Sequence, residues 1–134
     1  MEKPPVWEAV CNAFGIRPAA YFTYGNAIYC VDVPPPPPDI IEHERVHMSQ
    51  QSEEGMTPEL WWGKFLRDPV FRVEQEAEAY GRQYAFLYPR IKDRNVKVRL
   101  LHSLAMSLSG PLYNNVIGVG EASNLIQRQS GIKI

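Results

Sequence analysis

Apolar positions change their period along this chain, first helical, then alternating, then helical again. Val6, Val10 and Ala13 recur at helical spacing and predict a helix from about Val6 to Phe14, opened by Pro4-Pro5 and closed by Gly15 at its C-terminus. Next, Tyr21-Phe22-Thr23-Tyr24 and Ala27-Ile28-Tyr29-Cys30-Val31 flank the dipeptide Gly25-Asn26. Aromatic and β-branched runs on either side of a turn pair predict a β-hairpin. Asp39 as N-cap, with Glu42 three residues on completing a capping box, predicts a helix from Ile40 to about Ser52, broken by Gly55. Thr57-Pro58-Glu59 restarts a helix loaded with Leu60, Trp61, Trp62, Phe65 and Leu66. Asp68-Pro69 repeats the signal and predicts a helix to about Leu87, stopped by Pro89.

Asp93 caps a further predicted helix to about Ser109, with Leu101, Leu104, Ala105 and Leu108 inward, ended by Gly110-Pro111. Residues 112–118 read as a loop, and Glu121 to Gln129 as a short last helix. The expectation is an α+β fold: a small N-terminal hairpin or sheet followed by packing helices. No repeat or long linker divides the chain, so one domain over residues 1–134 is expected.

Between hairpin and helix runs Pro34 to Pro38, a stiff polyproline II segment of about 3 Å rise per residue. Its simplest role is a rigid spacer; its alternative role is a docking site for a proline-binding partner. Composition narrows the field further. The chain has 134 residues, 45% hydrophobic and 22% charged, with a net charge of −1, which argues against phosphate-driven nucleic-acid binding and against electrostatic attachment to membrane lipid. No apolar run is long enough to span a bilayer, and Met1-Glu2-Lys3-Pro4-Pro5 lacks the features of a secretion signal, so a cytoplasmic location is expected. Cys11 and Cys30 read as two thiols in a reducing compartment.

The chemistry is concentrated in His43-Glu44-Arg45-Val46-His47. Residues i and i+4 lie on one face of a helix, so both imidazoles can grip one ion. Neutral imidazole suits zinc, and Glu44 sits beside the ion, where a general base belongs. A catalytic zinc needs a third protein ligand and an open position. His102 is the only other histidine; the helix after Asp68 offers Glu74, Glu76 and Glu78. Val73, Ala77, Tyr80 and Tyr84 share one face of that helix. Glu76 falls at the edge of this face, and Glu74 about 90° from its centre. A core-facing carboxylate is costly unless paired or metal-bound, which selects Glu76 as third ligand, with Arg72 at i−4 as its alternative partner.

HExxH followed by a second helix carrying Glu76-Ala77-Glu78-Ala79-Tyr80 resembles the gluzincin clan of zinc metallopeptidases, and the small size resembles its minimal members, with features spanning roughly residues 21–87. The resemblance implies a minimal zincin-like fold and one Zn2+ per chain on His43, His47 and Glu76. It also implies Glu44 as catalytic base, a peptide or protein substrate, and an edge strand, Ala27 to Val31, that pairs with substrate. Two positions depart from the family pattern. Tyr80 stands where an orienting aspartate is common, so a second register, with Glu74 as ligand and Glu78 behind it, stays open. Arg45 stands where an uncharged residue is usual, facing either solvent or substrate.

Such enzymes also supply a donor to the developing oxyanion, and Tyr80, Tyr84, His102 and Tyr113 are all candidates. The alternative function is a catalytically silent zinc-binding scaffold or interaction module of an assembly-, phage- or toxin-associated kind. The proline tract and Trp61-Trp62 would then serve a partner.

Overall fold

The computed structural model describes residues 6–14 and 20–133. Pro4-Pro5 and the Gly15 cap lie outside the described residues. The chain forms helix α1 (Trp7–Phe14), strands β1 (Ala20–Tyr24) and β2 (Ala27–Val31), and then helices α2 (Pro38–Gln51), α3 (Pro58–Arg67), α4 (Pro69–Leu87), α5 (Arg94–Leu108) and α6 (Val119–Ser130). This is the α+β arrangement expected, with one helix before the hairpin and five after it. No helix among the described residues is long and apolar enough to cross a membrane.

β1 and β2 pair antiparallel, Tyr24 opposite Ala27 and Ala20 opposite Val31. Gly25 has φ +62°, which the first turn position of a type II′ hairpin demands and glycine adopts without steric cost. Three of the expected N-caps are present: the Thr57 side chain accepts from Leu60 N–H, and the Asp68 side chain from Phe71 N–H. Asp93 likewise accepts from the amides of Asn95 and Val96.

The start of α2 differs from expectation. Pro37, not Asp39, occupies the N-cap position, with φ −67° and ψ 164°, and no side chain caps this end. Pro38 has no N–H to satisfy and a φ already set for helix, so α2 begins one residue before Asp39. Asp39 lies inside the first turn, and its carboxylate turns to Gln83 on α4 instead of to its own backbone. The last of the five prolines, Pro38, therefore belongs to the helix and not to the segment before it. Two smaller differences lie downstream. Pro111–Tyr113 forms a 3-10 turn inside the expected loop, and α6 begins two residues before Glu121.

α4 is the central element, packing on α2, α3, α5 and α6. Trp61 and Trp62 are buried, Trp61 stacking on Phe65 at 4.8 Å, so the pair belongs to the core and offers no partner surface. Trp7 of α1 meets Phe22 of β1 edge-on at 5.6 Å, tying the hairpin to the same core. At the back, Gly81 lets α6 approach closely; a Cβ there would lie 2.5 Å from Gln129 Cβ and 2.9 Å from Gln129 carbonyl carbon.

Candidate metal centre

The HExxH residues occupy the inner face of α2, and all three key side chains are buried: His43, Glu44 and His47. Their donor atoms lie within 4.8 Å of one another. Glu76 reaches them from the facing side of α4. Its Oε1 lies 3.0 Å from His43 Nε2 and 2.6 Å from His47 Nε2. Glu44 Oε2 stands farther off, 3.6 Å from His43 Nε2. Of the two carboxylates, Glu76 alone has an oxygen set between both imidazoles, and Glu44 sits to the side.

Glu76 is buried, whereas Glu74 and Glu78 are exposed, so the structure brings Glu76 to the histidines and leaves Glu74 in solvent. Arg72 does not need Glu76 to satisfy it: its guanidinium donates to the carbonyls of Phe65, Leu66 and Leu112. Arg45 is exposed.

The remaining polar contacts explain how these groups are held. His43 Nδ1 faces Gln83 Oε1 at 2.9 Å, and His47 Nδ1 faces Gln50 Oε1 at 2.8 Å. A ring nitrogen against a carbonyl oxygen carries the hydrogen, so each Nδ1–H donates and each neutral ring keeps its lone pair on Nε2. Two such lone pairs and a carboxylate oxygen then point at one place. That arrangement is repulsive unless a cation, a proton or a metal ion, sits among them. Two imidazoles and one carboxylate form the three-ligand donor set of an open zinc site, so the residues present fit that ion.

Electrostatics agree with this description. Burial opposes charge on His47, but Glu76 outweighs it and pushes the imidazole up to about 9. Burial likewise opposes ionisation of Glu76, yet the two imidazoles hold its carboxyl well below the usual carboxylate range. Glu44 is raised, first by burial and then by the nearby Glu76 carboxylate. The Thr23 hydroxyl, from β1, donates to Glu44 Oε1 at 3.1 Å.

Among the oxyanion candidates, Tyr80 and Tyr113 line the cleft over the centre and Tyr84 and His102 do not. Tyr84 is buried in the core and His102 is exposed. Tyr113 donates to Glu76 Oε2 at 2.5 Å, while Tyr80 packs edge-on against His43 at 4.7 Å. Burial raises both phenols, Tyr113 well above its ordinary value.

The cleft has a volume of about 400 Å³ and is walled by apolar groups including Phe22, Ile40, Leu104 and Leu112. Its strand wall is β1, from Ala20 to Thr23, and β2 contributes nothing to it. The edge bordering the centre is therefore β1 and not Ala27–Val31. Gln51 joins this strand to α2, its amide donating to Thr23 carbonyl at 2.8 Å and its oxygen accepting from Gly25 N–H at 2.8 Å. Trp62 Nε1 donates to the same Thr23 carbonyl at 2.9 Å.

Thr23, Gln50 and Gln83 are site residues that the motif does not announce. Helical spacing carries a signal for two of them. Gln50 lies three residues after His47, and Gln83 two turns after Glu76, on the same faces as those residues. Thr23 has no such signal, because only the docking of the hairpin brings it to Glu44. Comparison with known proteins returns no matching family model, no matching curated protein and no matching solved structure.

Proposed function

We propose that this protein is a zinc-dependent peptide-bond hydrolase of gluzincin type, with His43, His47 and Glu76 as ligands and Glu44 as general base. One observation carries the reading. Both Nε2 atoms and Glu76 Oε1 converge at the floor of an open cleft, with Glu44 beside them. Zinc held there supplies Lewis acidity, which acidifies a water molecule to a pKa of about 7 and polarises a carbonyl group.

The chain's own groups account for the remaining chemistry. Glu44 Oε1 is occupied by the Thr23 hydroxyl, which leaves Oε2 to take a proton from the nucleophile and to return it to the leaving amine. Burial makes this carboxylate a stronger base than an exposed glutamate. Tyr113 holds Glu76 by its second oxygen, and the apolar walls shield the reacting groups from bulk water.

Metal analysis and one substitution test the proposal. The purified protein should carry about one zinc per chain. Glu44→Gln should keep the zinc and lose peptide cleavage by at least about 100-fold. A folded wild-type protein that binds no zinc, or an equally active Glu44→Gln variant, sinks the reading. Zinc binding with no cleavage of a broad peptide library would replace it with a silent zinc-binding scaffold.

A further inference from the structure

Each histidine of the centre is backed by a glutamine, and each glutamine by a carboxylate. Gln83, against His43 Nδ1, donates its Nε2 to Asp39 Oδ2 at 2.9 Å. Gln50, against His47 Nδ1, donates its Nε2 to Glu78 Oε1 and to the carbonyl of Gln75, both at 3.0 Å. The two relays cross between helices in opposite directions. For His43 the glutamine comes from α4 and the acid from α2; for His47 the glutamine comes from α2 and the acid from α4.

A glutamine amide alone can turn either its oxygen or its NH2 toward an imidazole, and the two choices select opposite tautomers. An ionised carboxylate only accepts hydrogen bonds. The NH2 of Gln83 must therefore face Asp39, and its oxygen must face His43. That oxygen requires a hydrogen on Nδ1 and leaves Nε2 free to coordinate. The same logic runs from Glu78 through Gln50 to His47. An interposed amide passes on orientation without setting another negative charge against the ring.

We propose that Asp39 and Glu78 are positioning residues, which act through Gln83 and Gln50 to hold both histidines in the tautomer that presents Nε2 to the ion. The proposal rests on the zinc reading for its affinity arm; its tautomer arm is read on metal-free protein.

The full chain, labelled with 15N in its imidazoles, provides the test. In metal-free wild type, His43 Nδ1–H should appear as a discrete, slowly exchanging NMR signal. Asp39→Ala should lose that signal. So should Gln83→Met, which leaves the Asp39 charge in place and removes the amide. Zinc affinity, measured by competition with a chelator, should fall about 10-fold in each. Glu78→Ala should lower zinc affinity less, since the Gln75 carbonyl still orients Gln50. An unchanged His43 signal in Asp39→Ala overturns the relay. So does a Gln83→Met variant that keeps the signal and the affinity, which would assign the effect of Asp39→Ala to charge at the helix start. If wild type binds no zinc, the function proposed above fails, and the NMR arm alone decides the relay.

Discussion

The Thr23 hydroxyl donates to Glu44 Oε1 at 3.1 Å, across 21 residues of sequence, so a strand residue helps to set the proton affinity of the residue proposed as base, beside burial and the two imidazoles. A hydrogen bond to an ionised carboxylate favours the charged form and lowers its pKa. Thr23→Val keeps the shape and removes the donor. Glu44 is already raised by burial and should rise further. The acidic limb of the pH profile for kcat/KM should therefore move to higher pH, with zinc content unchanged. A limb that stays in place would separate Thr23 from the chemistry.

Metal-free protein should respond to pH through His47 and Glu76. His47 is pushed up to about 9 from an ordinary 6.5, burial opposing and Glu76 prevailing. Its contribution to stability is complete below pH 6.5 and is lost as pH rises through about 9. Glu76 is held below its ordinary 4.5, so its contribution is complete above that value and lost as pH falls. Glu44, raised by burial, begins to lose its contribution as soon as pH rises above its ordinary 4.5. Stability of the chelator-treated protein should peak at about pH 4.5 to 5, decline gently to about 6.5, and drop by up to about 3 kcal/mol more toward pH 9 as His47 loses its proton. Bound zinc replaces the proton at the centre, so its stabilising effect should grow over the same interval. Urea denaturation at stepped pH, with chelator and with zinc, reads both; a flat alkaline limb without metal would contradict the coupling.

Two glycines in helices should respond to alanine in opposite directions. Alanine in a helix interior ordinarily gains roughly 0.5–1 kcal/mol over glycine. Gly63 on α3 meets only the flexible end of Arg67, at 3.2 Å, so Gly63→Ala should raise the melting temperature. Gly81 on α4 faces Gln129 Cβ at 2.5 Å and the Ser130 backbone nitrogen at 3.0 Å. Gly81→Ala should push α6 away and cost about 1–3 kcal/mol. Calorimetry of the two variants checks the contrast.

Much of this architecture is legible from local signals. Thr57 and Asp68 cap the helices they announce, and α4 spans Pro69–Leu87 as its punctuation implies. Glu76 was identifiable from helical phase, because one carboxylate at the edge of an apolar face needs a partner. Asp39 shows where local reasoning fails. Its spacing to Glu42 matches a capping box, but prolines set the helix start and Gln83 claims the carboxylate through a contact 44 residues away. Thr23 and Tyr113 reach the site only through tertiary packing, which no local period encodes.

The carbonyl of Thr23 accepts from both Gln51 and Trp62. In the hairpin register, Thr23 and Tyr21 turn their backbone groups away from β2, along the rim of the cleft. One of the few acceptors on that rim is thus already consumed by the protein's own side chains. A polypeptide laid along β1 would find a ladder only one or two rungs long, centred on Tyr21. Discrimination among such polypeptides would then fall to side-chain fit within the cleft.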